Sequence, residues 1–241
     1  MKQSYHIISL RTIRYNDRHN ILTAYSLEGG TVAFLTPAGQ GREASRRRAL
    51  LMPLSLIECV GDRRPGHEIM VMHEPQATAA LSSLRSNPIK SSVAIFLAEV
   101  LTAILREGVP DEHLFKYIEE SVRLLDRLPQ SRCANFHVCF LYRLGHYLGI
   151  RPDATGYREG MVFDLLDSRF RQTPPLHGRF LAPAESAAVA ALDRMNFRNM
   201  HFFAMSRRER NALLDGILDY YSTHYASLTS LRSLDVLRAV F

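Results

Sequence analysis

The chain has 241 residues, of which 46% are hydrophobic and 22% charged, enough apolar surface for a real core and enough length for two domains. Its longest stretch without Asp, Glu, Lys or Arg is the 13 residues from Gly29 to Gly41, broken by glycines and a proline, which excludes a membrane-spanning helix of about 20 apolar residues. The apolar run before Arg11 carries no cleavage-site pattern, and Cys59, Cys133 and Cys139 are too few for a disulfide framework, so a reducing cytoplasm is the expected location.

Net charge is +6, and its distribution matters more than its size. Residues 1–64 hold ten Lys and Arg against five acids, and 27 of the 30 basic residues are arginine. Arginine is planar, weakly hydrated and bidentate towards phosphate, and it stacks on bases. A GC-rich genome raises arginine usage but does not explain the clustering in the first quarter.

The first 75 residues are expected to form five short strands. Ile7, Ile8, Leu10 and Ile13 mark the first, within 4–15; Ile21, Thr23 and Tyr25 alternate in the second, 21–27. Glu28-Gly29-Gly30 is a hairpin signal, because glycine supplies the positive φ of tight turns. A third strand spans 31–36, a polar loop 37–48, a fourth strand 49–60, a turn 61–66 and a fifth strand 68–73. Such a set suits a small closed barrel, OB-type or SH3-like, which the period alone does not separate. After Pro75 the pattern turns helical. Asn87-Pro88 is a capped helix start, followed by Val93, Phe96, Leu97, Val100, Leu101, Ile104 and Leu105 at helical spacing. Leu114, Ile118, Val122 and Leu125 repeat the theme, as do Phe140, Leu141, Leu144 and Leu148. Ser206-Arg207-Arg208-Glu209 is a capping box opening a helix with Leu213, Leu214, Ile217, Leu218 and Tyr221; a last helix carries Leu231, Leu234 and Leu237. The expected architecture is α+β in two domains, a five-stranded barrel over 1–80 and an all-α domain over 81–241.

Arg42 with Arg46, Arg47 and Arg48, in or beside a loop containing Gly39 and Gly41, is the strongest local feature. Like charges this close repel one another and favour an anionic partner, and such a loop on a barrel tracks a phosphate backbone. Arg11 and Arg14 on the first strand, and Arg63 and Arg64 at the turn after the fourth, are further candidates. Tyr5, Tyr15, Tyr25 and Phe34 lie in neighbouring strands as core residues or stacking platforms; alternation favours core for most of them. Cys133, His137 and Cys139 invite a metal site, but on a helix His137 and Cys139 point about 200° apart, and no CxxC pair exists. His137 is therefore expected in the core and no metal or other cofactor is expected. Gly39 and Gly41 are not followed by the GK[ST] of a P-loop. Asp164 and Asp167, at i and i+3 around Leu165-Leu166, are the only hint of a magnesium-dependent nuclease, and they suit an ordinary amphipathic helix equally well. The expectation is a binding protein rather than an enzyme.

The order of the motifs resembles the RecO family. Ile8-Ser9-Leu10-Arg11-Thr12-Ile13-Arg14-Tyr15-Asn16-Asp17 looks like that family's first strand, and Thr23-Ala24-Tyr25-Ser26-Leu27-Glu28-Gly29-Gly30 like its second strand and hairpin. The stretch 41–53, with its arginines and the following Leu50-Leu51-Met52-Pro53-Leu54, is similar to its glycine and arginine loop. Ala134-Asn135-Phe136-His137 through Leu144-Gly145-His146-Tyr147-Leu148-Gly149-Ile150-Arg151-Pro152 matches its helix ending in a leucine-glycine-proline segment, and Ser233-Leu234-Asp235-Val236-Leu237 resembles the Bacteroidetes branch. The likeness spans essentially the whole chain. It implies an N-terminal OB domain and a helical C-terminal domain, in a cytoplasmic, nucleoid-associated recombination mediator. Such a protein binds single- and double-stranded DNA, anneals complementary strands without ATP, and works with RecR (sometimes RecF) to load RecA on strands coated by single-stranded-DNA-binding protein (SSB). Many members carry a four-cysteine zinc module after the leucine-glycine-proline segment; here 153–164 has no cysteine, so the module is lost or replaced. Arg123, Arg127, Arg132 and Arg143, on consecutive predicted helices, are candidates for the acidic, apolar SSB tail. A generic OB-type RNA-binding module is the alternative from another class.

Overall fold

The computed structural model describes residues 2–63, 65–105, 110–228 and 230–240. They form two compact units, Met1–Arg127 and Leu128–Phe241.

The first unit is built on five strands: β1 (Lys2–Arg14), β2 (His19–Ser26), β3 (Gly30–Pro37), β4 (Leu56–Asp62) and β5 (Met70–Ala77). They close into a barrel in the order β1-β2-β3-β5-β4, with β4 returning to β1. Every pairing is antiparallel except β3 with β5, where Phe34 faces Met70 and Leu35 faces Val71. This is the Greek-key closure of an OB fold, and the OB-type barrel is borne out. β1 is long enough to serve two neighbours. Its first half pairs with β4, from Lys2 opposite Asp62 to Ile8 opposite Leu56, and its second half with β2, ending at Arg14 opposite Asn20. The register shifts between Ser9 and Arg11, where the strand changes partner. Tyr5, Ile7, Leu22, Phe34, Ile57 and Met70 fill the interior, Tyr5 meeting Phe34 edge to face at 5.7 Å between ring centres. Gly61 sits against that pair: a Cβ there would lie 2.8 Å from the Tyr5 ring and 3.0 Å from the Phe34 ring.

The expected loop at 37–48 and fourth strand at 49–60 need correction. Residues Arg42–Leu50 form a helix, α1, between β3 and β4, and the strand begins only at Leu56. The reason is local. The sequence REASRRRAL contains no β-branched residue and is rich in helix formers, and Glu43 pairs with Arg47 one turn on at 3.1 Å. Apolar residues 49–54 have the composition of a strand start, but Leu51 and Leu54 are buried as the chain turns out of α1.

After the barrel come α2 (Ser82–Ser86), α3 (Pro88–Ile104) and α4 (Glu112–Arg127). Asn87 caps α3 as its sequence implied, its Oδ1 accepting from the Ile89 and Lys90 amides at 3.0 and 3.2 Å. Helix α3 is buried nearly all round, so one neighbour is not enough for it; it packs on β1 as well as on α2 and α4. That packing carries the compact unit past residue 80, where strands give way to helices, to Arg127.

The second unit holds α5 (Phe136–Tyr147), α6 (Pro183–Arg194), α7 (Arg207–His224) and α8 (Leu234–Val240), with single 3-10 turns at Gln130–Arg132 and Met200–Phe202. The capping box of α7 is present: Ser206 Oγ accepts from the Glu209 amide at 3.2 Å and Glu209 accepts from the Ser206 amide at 2.7 Å. Helices α5 and α7 are joined in the core, where the Tyr221 hydroxyl donates to the Leu141 carbonyl at 2.7 Å. This helical unit also carries a small sheet, β6 (Val162–Asp164), β7 (Arg169–Arg171) and β8 (Phe180–Leu181), in the order β7-β6-β8. Asp164 and Asp167 therefore lie at the end of a strand and in its following turn, not on the helix expected for them. No helix of the described residues is long and apolar enough to cross a membrane.

Candidate nucleic-acid interface

Helix α1 sorts its four arginines into two pairs. At about 100° per residue, Arg47 and Arg48 stand within about 60° of the buried Ala44, while Arg42 and Arg46 point about 160° away from it. Arg47 and Arg48 accordingly lie along the barrel. Arg47 donates to the Pro37 carbonyl at 3.2 Å and Arg48 to the Gly39 carbonyl at 3.1 Å, so both tie the β3–α1 connection to the helix. Arg42 and Arg46 are exposed, and among the described residues they make no ion pair or side-chain hydrogen bond.

The barrel end beside α1 contains a groove of about 340 Å³. Arg14 from β1 and Arg47 and Arg48 from α1 line it, together with Asn20, Thr36, Met52 and Pro53. Its lining is partly apolar, with Ile13 42% exposed, and Tyr15, in the β1–β2 turn that follows Arg14, is 61% exposed. Arg14 also pairs with Asp17 in that turn. The structure thus brings Arg14, Arg47 and Arg48 to one groove with Arg42 and Arg46 on the helix above it. Arg11 is exposed on β1 opposite Thr23 of β2. Arg63 follows Asp62, which faces Lys2, and so lies by the start of β1 while Arg14 lies at its end. Arg64 falls outside the described residues. Of the four candidate stacking aromatics, Tyr5, Tyr25 and Phe34 are buried and only Tyr15 is open. Tyr25 packs instead against Phe115 of α4, 6.2 Å between ring centres.

The arginines considered for an acidic tail are not gathered by either unit. Arg123 and Arg127 belong to α4 of the first unit, and Arg123 is held by Glu119 at 2.7 Å. Arg132 is exposed on the turn preceding α5, and Arg143 on α5 donates to the Met195 carbonyl at 3.0 Å.

Cys133, His137 and Cys139 are buried separately. Cys133 precedes α5 and bonds the Pro129 carbonyl at 3.5 Å. His137 is in the core, where burial, with the charge of Arg210 adding to it, lowers its pKa to about 3. Burial pushes the Cys59 and Cys139 thiols up to about 12, so both are protonated and unreactive at neutral pH. No group of three His, Cys, Asp or Glu side chains able to hold a metal occurs among the described residues. Elemental analysis of purified, untagged protein is expected to find no stoichiometric zinc, and a chelator to leave Tm unmoved. One zinc per chain would overturn that expectation.

Asp164 and Asp167 do not form a cation site. Asp164 is fully buried; one of its oxygens accepts from the Leu166 and Asp167 amides at 3.0 and 3.1 Å, and the other from Arg171 Nε at 2.7 Å. His177 Nε2 approaches within 3.3 Å, and Asp167 is paired with Arg169 and Arg171. Both carboxylates are committed to this knot, which ties together β6, β7 and the chain leading to β8.

Residues 85–235 match the family described as Recombination protein O C terminal. The chain is 42% identical over 234 residues to the DNA repair protein RecO of Phocaeicola vulgatus. It is 37% identical over 235 residues to that of Bacteroides fragilis and 33% over 238 to that of Porphyromonas gingivalis. In each case 97% of both chains is covered. The chain belongs to the RecO family. The resemblance drawn from motif order is borne out, and the RecO family is one of DNA repair and recombination. In this RecO chain the segment 153–181, which follows the leucine-glycine-proline stretch, is organised around the Asp164 knot and a three-stranded sheet.

Proposed function

We propose that this RecO-family protein is a non-catalytic recombination mediator of DNA repair, whose barrel, residues 1–80, holds DNA along α1 and the groove beside it. The observation that supports this most is the meeting of Arg14, Arg47 and Arg48 at one groove, with Arg42 and Arg46 exposed on the same helix. Five arginines at one barrel end suit a phosphate backbone, and the exposed Tyr15, next to Arg14 in the chain, suits a base. OB folds hold oligonucleotides on the face of their second and third strands and on adjoining loops. The groove opens where β1 and β3 end and β2 begins, and so adjoins that region. Arg11 and Arg63, which lie back along β1 from the groove, are further candidate contacts, and Arg64 is a candidate from the sequence alone.

In this role the protein binds single- and double-stranded DNA, joins complementary strands without ATP, and acts with RecR, in some settings RecF, to load RecA on strands coated by SSB. Its place is the cytoplasm, with the nucleoid. The SSB tail is taken by cations of the helical part, for which Arg123, Arg127, Arg132 and Arg143 remain the candidates. No catalytic group or cofactor enters this mechanism.

An annealing assay tests it. With two complementary labelled strands and no nucleotide, the protein should speed duplex formation on naked strands, and more so on strands coated by SSB. An unchanged rate in both settings would reject the mediator role. An RNA competitor that displaces DNA at equal concentration would point instead to a general RNA-binding module.

A further inference from the structure

We propose that Phe202 is a base-stacking platform in the second unit, holding a further stretch of single-stranded nucleic acid with Arg198 and Arg208 as phosphate contacts. The proposal rests on nucleic-acid binding by this protein but on none of the barrel's residues.

The argument starts from how the ring is held. Phe202 is 77% exposed, yet it does not sit on a loose loop. It ends the 3-10 turn Met200–Phe202, and the buried Asn135 amide donates to the Met200 carbonyl at 2.9 Å and to the Phe203 carbonyl at 2.8 Å, one bond on each side of it. Asn135 is fixed in turn by the buried Arg210, whose Nε donates to its Oδ1 at 2.9 Å and whose other arm donates to the Met205 carbonyl at 2.8 Å. Met200 is wholly buried and anchors the turn from below. The approach is equally fixed. Asn196 Oδ1 accepts from the Arg198 and Asn199 amides at 2.9 and 3.1 Å, and Asn199 Oδ1 accepts from the Asn196 amide at 2.7 Å. A buried polar network thus pins the backbone around a side chain that reaches solvent. That is the arrangement of a preorganised contact residue, since the backbone that carries the ring has little freedom left to lose on binding.

Charge and chemistry narrow the ligand. From Arg194 to Arg208 the sequence holds four arginines and no acid. Arg194, Arg198 and Arg208 are exposed, and among the described residues none makes an ion pair. Arg207 and Arg208 also occupy the first turn of the 18-residue α7, in which Glu209 is the single acid and is engaged in the capping box with Ser206. The His201 ring packs against the Phe202 ring, 4.0 Å between ring centres, so a base would stack on the ring's other side. An exposed aromatic ring in a stretch that carries four arginines and no acid has the chemistry that holds single strands without sequence preference. A strand held here, in addition to one held by the barrel, gives one protein a hold on two strands, which joining them requires.

The chain contains no tryptophan, so Phe202→Trp creates a sole reporter. Titrating the full-length variant with oligo-dT should quench its fluorescence about twofold or more, whereas an abasic oligonucleotide of equal length should bind without quenching. With Arg42, Arg46, Arg47 and Arg48 also changed to alanine, the quench should persist. Phe202→Ala should slow annealing about tenfold with Tm unchanged, a size typical of a lost base stack. Bound oligo-dT without quenching, equal quenching by the abasic strand, quenching only by an acidic peptide, or a quench abolished by the α1 substitutions would each overturn the proposal. Base-dependent quenching in a protein that anneals no strands would uphold the site and reject the mediator role, so the two fail separately.

Discussion

Changing Arg42, Arg46, Arg47 and Arg48 together to alanine should flatten the slope of log affinity against log salt on single-stranded DNA by about 0.7 for each phosphate left without its arginine. Four such phosphates amount to a change of about 3 in slope, so the gap between parent and variant should shrink by about 50-fold between 50 and 200 mM salt. The four are not equivalent. Arg42 and Arg46 face solvent, and their removal touches nothing else in the barrel. Arg47 and Arg48 also hold the Pro37 and Gly39 carbonyls, so removing them loosens the β3–α1 connection as well as the groove. The Arg42/Arg46 double variant should therefore change the slope with no change in Tm, and the quadruple variant should change both. The measurement is an oligonucleotide titration at several salt concentrations, paired with thermal melts. A folded quadruple variant with the parental slope would move the DNA path away from α1.

The contrast between these pairs shows what the sequence carries and what it leaves out. Arg46-Arg47-Arg48 is visible as a charge cluster in any reading, but consecutive residues on a helix point in three directions, and only the helical conformation of 42–50 tells which arginine faces the groove. That helix is hidden because apolar 49–54 resembles the start of a strand, whereas Leu51 and Leu54 seal a helix exit. The barrel itself is legible: glycine-marked turns and strand alternation are local signals. The parallel meeting of β3 and β5, which distinguishes this barrel from other five-stranded ones, joins residues about as far apart as Phe34 and Met70 and has no local signature. Long helices with a capped start, such as the one after Asn87 and the one after Ser206, are read from sequence because cap and period agree. Two- and three-residue strands such as β6, β7 and β8 offer no such pattern, so neither the sheet of the second unit nor the role of Asp164 is visible in sequence. Arg14 is one basic residue among many until its strand brings it beside Arg47 and Arg48. Phe202 likewise reads as one more apolar residue in the run from Met200 to Phe203, and the signal that sets it apart, Asn135 bonding on both sides of it, crosses more than sixty residues of chain.

Replacing Asp164 by alanine should destabilise the second unit by about 3 kcal/mol, the scale of losing one member of a buried charged pair. The carboxylate is the meeting point of the amides of Leu166 and Asp167, the Arg171 guanidinium and His177; alanine leaves the two amides and His177 without this acceptor and Arg171 with Asp167 alone. Asp164→Asn keeps an oxygen for the amides but removes the charge facing Arg171, so its cost should be smaller, about 1–2 kcal/mol. The pH dependence follows from the same partners. Burial alone would raise the Asp164 carboxyl, but the Asp167 and Leu166 amides, Arg171 and the charge on His177 outweigh it and hold it below the ordinary 3.8. A group whose folded value lies below its unfolded value contributes stability that is present at neutral pH and lost as pH falls through the folded value, here below about pH 4. The parent should therefore lose stability more steeply than Asp164→Asn on acidification through that range, and the two should converge at low pH. Urea denaturation followed by circular dichroism at pH 7, 5 and 3.5 measures both effects. A parent and an alanine variant that unfold together at pH 7 would mean that the β6–β8 sheet is held by its apolar packing, Phe163 against Phe170 at 5.1 Å foremost, and not by the knot around Asp164.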